Sequence, residues 1–492
     1  MHRKTIGLIL GPLLFGLIIG LSDPHGLSES GIYVAAVAAL MATWWISEAV
    51  PIPATALLPI ALFPLLGVME TQSVTTAYAN HLVYLFMGGF LIAVTVEKWN
   101  LHKRIALHTI LLIGTSTNRI ILGFMIATGV LSMWLSNTAT AMMMVTIGLA
   151  VIKQTQAMVQ TNDTQENSTM SFGTVLMLSI AYAASIGGVA TLIGTPPNAI
   201  LVGVLESNYG IQIGFGQWML FGVPLSIIML LFTWIYLTRF CYRGTSKEIP
   251  GGRIFMRQQL QELGSISKPE KRVLFVFICV AIAWLLRGVI EIDALSLVTD
   301  SSIAICGALA LFLIPSSSVK GENLLDWNTA KNIPWDVIIL FGGGFALAQG
   351  FADSGLTLWL AHQLAFVEGM HVVILIALIV LLVIFLTEVT SNTATASILL
   401  PVMGAVAIAM GIHPAATMIA VAVAASYAFM LPVATPPNAI VFVSRVVSIP
   451  QMVKVGIILN LFSVILITVF ILYVLPASIG FDVRHATEII SQ

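Results

Sequence analysis

Twice in this chain a pair of adjacent prolines falls inside a long apolar stretch: in Thr195-Pro196-Pro197-Asn198-Ala199-Ile200 and again in Thr435-Pro436-Pro437-Asn438-Ala439-Ile440. Adjacent prolines remove two amide donors and break a helix. The apolar runs themselves recur from Thr5–Leu21 to Gly456–Val474, and many reach the ~20 helical residues needed to cross ~30 Å of hydrocarbon. A break at that depth is tolerated only where the freed backbone is buried in protein or lines a watery cavity. The chain is therefore expected to be an all-α polytopic membrane protein whose interrupted helices sit inside a bundle. Composition agrees: 58% of the 492 residues are hydrophobic and only 9% are charged, against about 25% charged in soluble domains.

The proline blocks belong to a wider duplication. Leu85-Phe86-Met87-Gly88-Gly89-Phe90 matches Leu340-Phe341-Gly342-Gly343-Gly344-Phe345, and Ser136-Asn137-Thr138-Ala139-Thr140-Ala141 returns as Ser391-Asn392-Thr393-Ala394-Thr395-Ala396, both at an offset of 255 residues. The proline blocks repeat at an offset of 240, so the first copy is 15 residues longer, and the polar stretch Gln154–Ser171 lies in that interval. Three blocks in the same order define two related halves. The glycine clusters suit close helix packing equally well; paired TPPN does not.

Helices are expected near 5–21, 32–47, 52–68, 79–97, 118–135, 139–153, 172–193, 198–206, 216–238, 272–288, 296–314, 335–352, 373–388, 394–410, 416–433, 438–447 and 455–475. Runs 118–135 with 139–153, and 373–388 with 394–410, read as arms of two re-entrant hairpins with the SNT blocks at their tips. Thr5–Leu21 lacks an A-x-A-like cleavage site before Ser22-Asp23-Pro24 and reads as an uncleaved first span. Between the halves, Arg239–Arg272 holds eight basic residues: Arg239, Arg243, Lys247, Arg253, Arg257, Lys268, Lys271 and Arg272. The positive-inside rule makes that linker cytoplasmic, together with His2-Arg3-Lys4 and Lys98, Lys103 and Arg104, while Asp23–Ser30 is expected outside. Residues 241–271 otherwise read as a solvated connection.

Broken helices in two related halves are what a secondary transporter uses. Helix amino ends present free N–H groups to an anion, and exposed carbonyls coordinate cations. The motif side chains of Ser136, Asn137, Thr138, Ser391, Asn392 and Thr393 are neutral; they donate to carboxylate oxygens and also offer oxygen to a hard cation. A dianion there lacks counter-charge, and burying it alone costs several kcal/mol or more, so a co-bound cation is expected. Sodium is the natural candidate, although the ligand types also admit protons or another cation.

Trp44-Trp45-Ile46-Ser47-Glu48-Ala49-Val50-Pro51, the two SNTAT blocks, the two TPPNAI blocks and Leu340–Phe345 together resemble the divalent anion:sodium symporter family, whose members carry succinate, malate, fumarate, citrate or sulfate. The resemblance runs from Ile32 to Leu475. It implies an inverted-repeat transporter with a scaffold and a mobile transport domain, working as an elevator and paired as a homodimer in a membrane such as the bacterial inner membrane. Scaffold helices would fill 1–115 and 273–370, transport-domain helices 116–238 and 371–492, with 239–272 as linker. By the same carry-over, Ser136, Asn137, Thr138, Ser391, Asn392 and Thr393 contact substrate, and Thr195, Pro196, Thr435 and Pro436 close its chamber. Na+ would be held by Ser132, Ser136, Asn137 and Gly194 in one half. In the other it would be held by Thr387, Thr390, Ser391, Asn392, Ala434 and Pro436. The sequence breaks its own symmetry where Gly194 is matched by Ala434.

Glu388, inside an apolar run, is a functional candidate by location. Tuning a cation site, a structural ion pair and a hydrogen bond to hairpin backbone are its open roles. Glu48, beside Pro51 and Pro53, reads as a helix-end feature. Trp134 is expected to pack under the first SNT tip, whereas Trp44, Trp45, Trp99, Trp218, Trp234, Trp284, Trp327, Trp335 and Trp359 read as interfacial anchors. Net charge −1 and pI 6.8 argue against a nucleic-acid partner. Cys241, Cys279 and Cys306 form no metal or disulfide pattern, and neither a catalytic dyad nor HExxH stands out, so no enzymatic activity is expected. A channel remains the competing class, and a sodium-independent dicarboxylate exchanger or a sulfate carrier the competing transport modes.

Overall fold

The computed structural model describes residues 2–21, 24–114, 116–159, 171–241, 252–287, 297–317, 321–364, 369–480 and 483. The regular elements among these residues are all helices, with no β-strand. Eight of the helices are long and apolar enough to cross a membrane, from Arg3–Gly20 to Ile449–Ile479. Shorter apolar helices, including Thr117–Ser132, Val372–Thr387 and Pro414–Ser426, stop short of a full crossing. These three lead into repeated motifs, and Phe172–Val189, long enough to cross, leads into the fourth.

Both motif types interrupt helices where the sequence places them. Thr117–Ser132 ends before the first SNT and Asn137–Val159 starts within it; Val372–Thr387 and Asn392–Met410 repeat that arrangement. Phe172–Val189 and Pro196–Tyr209 flank the first TPPN break, and Pro414–Ser426 and Pro436–Val443 flank the second. Each TPPN helix begins at its first proline, where a missing amide costs nothing because the first-turn amides have no intrahelical partner. The approach helices are shorter than expected. They stop at Val189 and Ser426 rather than 193 and 433, because the chain unwinds well before the prolines.

Those two approach helices form the centre of the molecule. Every residue of Gly173–Val189 and of Pro414–Ser426 is buried, as expected of helices apolar on all sides. They touch each other, and around them the halves interlock. The first SNT helix (Asn137–Val159) packs on the second TPPN helix (Pro436–Val443), and the first TPPN helix (Pro196–Tyr209) packs on the second SNT helix (Asn392–Met410). The glycine clusters serve as packing seams. A Cβ on Gly88 would come within 2.7 Å of the Ala304 carbonyl carbon, and one on Gly343 within 2.4 Å of Ala56 O.

Five helices escape the hydropathy pattern: Thr71–Tyr78, Leu101–Ile113, Gly252–Glu262, Trp327–Ala330 and Leu356–Gln363. They are short or carry charge, as with His102, Lys103, Arg104 and His108 on Leu101–Ile113. The expected 52–68 helix is two pieces, Ile52–Thr55 and Leu58–Leu65. Glu48 does end a helix, closing Glu29–Ser47 in the left-handed region at φ 50°. At the other helix end, Ser28 Oγ accepts the Gly31 amide at 3.0 Å and caps the helix.

Part of the linker is packed rather than solvated. Helix Gly252–Glu262 lies against Leu101–Ile113 and Asn137–Val159. Arg104 Nε donates to Glu270 Oε1 at 2.6 Å, and its other nitrogens donate to Gly264 O (3.0 Å) and Leu263 O (3.2 Å). Glu270 Oε2 accepts the Ser267 amide at 2.7 Å. Arg243 and Lys247 lie outside the described residues, as does most of the Gln154–Ser171 stretch. Burial by itself would raise the Glu270 carboxyl, but hydrogen bonds from Arg104 and Ser267 outweigh it and hold the pKa below the usual glutamate range. The contribution of this pair to stability is therefore complete above the unfolded-state pKa of ~4.3 and is lost only as pH falls through the lower folded value. Removing one partner of such a buried pair typically costs ~3–5 kcal/mol. Arg104→Met should accordingly lower thermal stability sharply in detergent, and Arg104→Met with Glu270→Met should recover most of the loss. An unchanged melting temperature in Arg104→Met would show the linker undocked.

Candidate functional site

In the first half, the two breaks meet through side chains. Ser132, the last residue of its helix, donates from Oγ to Ala184 O at 2.7 Å and lies 2.5 Å from Asn137 Oδ1. The same end of the Asn137 amide is 3.1 Å from both Ala184 O and Gly194 O. With its nitrogen turned to them, the amide can donate to Ser132 Oγ and Gly194 O while the Ser132 hydroxyl donates to Ala184 O. With its oxygen turned to them, four oxygens converge, a donor set that suits a hard monovalent cation. Ser132, Asn137 and Gly194, separated by 62 residues of chain, are thus brought to one corner.

Gly194 is required there by space. A Cβ at 194 would lie 2.4 Å from Gly188 O and 2.9 Å from Ser132 O, and a Cβ at Gly188 would lie 2.5 Å from Asn137 Oδ1. The second half carries Ala434 at the matching position, buried with its methyl in place. The departure from symmetry noted in the sequence therefore reflects a tighter approach of backbones in the first half.

The second half repeats the corner with a change of hydroxyl. Thr387 Oγ1 donates within reach of Asn392 Oδ1 (2.8 Å) and Ala425 O (3.0 Å). Thr387 stands where Ser132 does, and Asn392 where Asn137 does, at the 255-residue offset. Thr390 is tied into its own turn: its hydroxyl donates to Leu386 O at 2.8 Å and pairs with Thr395 Oγ1 at 2.6 Å. In the first half Ser136 Oγ accepts the Ala139 amide at 3.2 Å. Ser391 makes no such cap. Ser136, Asn137, Ser391, Asn392 and Thr393 are half-buried, and Thr138 and Pro436 are exposed.

The TPPN residues divide their roles. Thr435 Oγ1 accepts the Asn438 amide at 3.2 Å and caps its helix. Thr195 reaches across the halves instead, with its Oγ1 3.3 Å from Ser426 Oγ. Asn198 and Asn438, which no expected substrate or cation role includes, are both fully buried. Asn198 Nδ2 donates to Thr191 O (2.9 Å) and Val189 O (3.4 Å), and Asn438 Nδ2 donates to Ala428 O and Leu431 O at 3.1 Å each. Each closes the unwound segment that precedes its own helix. Their signal was present in the sequence, since the asparagine recurs with the prolines. The accepting carbonyls of Ala184 and Ala425, and Ser426, carry no such signal.

Glu388 is neither in an ion pair nor at the surface. It is 3% exposed, and its carboxylate accepts from the Phe429, Met430 and Leu431 amides and from Asn460 Nδ2. Of the open roles, the hydrogen bond to backbone is the one it plays, although to the TPPN break rather than to its own hairpin. Trp134 packs behind the first tip as expected, stacking on Phe215 (5.9 Å between centroids) and Trp284 (6.3 Å) and meeting Phe277 edge-on (5.0 Å). Trp45, Trp218 and Trp284 are buried in the protein, with indole nitrogens on Ile52 O, Val189 O and Asp300 O, so these three are not interfacial anchors. Chemically the site offers hydroxyl, amide and carbonyl oxygens beside four helix amino ends.

Gly194→Ala should force the corner apart at a cost of ~1–3 kcal/mol, typical of overpacking, while Ala434→Gly should cost about 1 kcal/mol or less; thermal unfolding of the two variants measures both. Equal stability would show that the backbones at 188 and 194 are not in contact. Two relatives, from Staphylococcus saprophyticus and Staphylococcus aureus, both named sodium-dependent dicarboxylate transporter SdcS, are 46% identical over 485 residues, 98% of this chain and 93% of theirs. The fold is similar to that of the Alcanivorax borkumensis YdaH transporter (TM-score 0.61, 14% identity, 98% of this chain and 99% of that one). It is also similar to Neisseria gonorrhoeae MtrF (TM-score 0.54, 12% identity, 96% and 94%). Residues 2–476 match the model of the sodium:sulfate symporter transmembrane region, and the chain belongs to that family.

Proposed function

We propose that this integral membrane protein carries small di- or tricarboxylates, such as succinate, malate and fumarate, across the membrane in symport with sodium. The observation that carries this reading is the repeated corner: Ser132, Asn137, Ala184 O and Gly194 in one half, Thr387, Asn392 and Ala425 O in the other. Each presents only neutral oxygen and nitrogen groups, so a dianion beside them needs cations to offset its charge. Two sodium ions held at these corners would supply it, with Ser136, Ser391, Thr390, Ala434 and Pro436 completing the oxygen sets. The relatives named sodium-dependent dicarboxylate transporters, 46% identical over nearly the whole chain, support both the ion and the substrate class.

In this reading Asn137, Thr138, Asn392 and Thr393 meet the carboxylates, and Thr195, Pro196, Thr435 and Pro436 wall the chamber. Amino ends of four helix segments favour anions at the same place. Binding of the anion and of sodium is coupled because each lowers the cost of burying the other. Alternating access would then come from movement of the motif-bearing helices, residues 116–238 and 371–492, against 1–115 and 273–370 in an elevator-type cycle. A homodimer in the bacterial inner membrane, with the amino terminus and residues 239–272 cytoplasmic, completes the proposal.

Purified protein in vesicles should take up labelled succinate down an inward sodium gradient with no anion inside. Uptake that ignores sodium and requires internal dicarboxylate would replace symport with exchange, and sulfate in place of succinate would move the substrate class. Asn137→Ala and Asn392→Ala should each nearly abolish uptake while the protein remains folded. Normal transport by either would place the pocket elsewhere.

A further inference from the structure

The two halves hold their breaks together through the same pair of positions, with side chain and backbone exchanged. At the offsets of the two repeats, Met133 corresponds to Glu388 and Thr191 to Leu431. In the first half the side chain comes from the TPPN break: Thr191 Oγ1 donates to Met133 O at 2.5 Å and accepts the Gly194 amide at 3.1 Å. In the second half the side chain comes from the SNT tip. Glu388 Oε1 accepts the Phe429 amide (2.7 Å), the Met430 amide (2.8 Å) and Asn460 Nδ2 (2.7 Å), and Oε2 accepts the Leu431 amide (2.9 Å).

The exchange changes the strength of the tie. Hydrogen bonds to a carboxylate are roughly twice as strong as neutral ones, and here four converge on one group where the first half has two on a hydroxyl. Three successive amides, freed because the chain unwinds after Ser426, are satisfied at once. Asn460, fully buried on the helix Ile449–Val469, fixes the carboxylate from the far side. Glu388 directly follows Thr387, and the segment it grips runs from the residues just after Ala425 to those just before Ala434. Whatever holds 429–431 to 388 also sets the spacing among Thr387, Asn392 and Ala425 O.

We propose that Glu388, oriented by Asn460, is a positioning residue that preforms the second cation corner, so that sodium enters a site already set. The first corner, tied by one neutral hydroxyl, is the one that tightens on its ion. This inference rests on the reading of the Thr387–Asn392 corner as a sodium site. A positioning role predicts a change in sodium dependence that a merely structural tie would not produce.

The test compares wild type, Glu388→Gln and Asn460→Leu in vesicles, with sodium-dependent succinate uptake and sodium-dependent thermal stabilisation as readouts. Glu388→Gln should raise the sodium half-saturation by about tenfold or more, in line with loss of hydrogen bonds to a charged group, with maximal uptake and succinate KM restored at saturating sodium. Asn460→Leu should shift it the same way by less, and the double variant should be no worse than Glu388→Gln. Glu388→Asp, too short to reach 429–431, should behave as Glu388→Gln does. If Glu388→Gln fails to fold, Asn460→Leu carries the same decision. Lower thermal stability with an unchanged sodium half-saturation in these variants would overturn the inference and leave Glu388 a structural tie. Wild-type uptake indifferent to sodium would remove the reading of the site and this inference together.

Discussion

Inside a bilayer every backbone amide and carbonyl needs a partner, because hydrocarbon offers none and each orphan costs several kcal/mol. The architecture of this protein follows from that requirement at four places where helices stop in the interior. At each, side chains from elsewhere take over the work of the missing turn. Asn198 and Asn438 donate to the carbonyls of the segments ahead of them, Thr191 bridges one break to Met133 O, and Glu388 collects three amides of the other. The residues that a transporter would use to bind its cargo are the same ones, or immediate neighbours of those, that make the breaks affordable.

That overlap explains why the motifs are short and neutral. A serine or threonine at the helix end and an asparagine five residues on, as in Ser132 with Asn137 and Thr387 with Asn392, can close the backbone when no ion is bound and open toward an ion when one is. Ionised side chains at those positions would fix the charge of the site and oppose release. Glu388, a buried carboxylate beside the second corner, accepts from four donors and faces backbone. Each SNT helix rests on the TPPN helix of the opposite half, so the two halves interlock around the breaks.

Much of this was legible in the sequence, and what was not has physical reasons. The SNT and TPPN breaks could be placed because their residue types recur at fixed offsets and are incompatible with uninterrupted helix. Ser132, Asn137 and Gly194 came from family resemblance, and the fold brings them to one corner. Ala184 and Ala425 could not be found, because they contribute a carbonyl that every residue has. Ser426 is one small residue among many in an apolar run. Leu101–Ile113 and Gly252–Glu262 were missed because their charge or shortness hides them from a search for apolar spans, and the burial of Glu270 depends on an arginine 166 residues earlier. Trp45, Trp218 and Trp284 have the residue type of interfacial anchors; burial, which only the fold reveals, assigns them to the interior.

The proposed convergence of the two SNT tips on one cavity is best measured by joining them. In a chain freed of Cys241, Cys279 and Cys306, cysteines at Thr138 and Thr393 should be linked within one molecule by a short bifunctional thiol reagent, and sodium with succinate should protect both from it. Two cysteines that react singly, never cross-link and are indifferent to sodium and succinate would contradict the shared cavity and the account built on it.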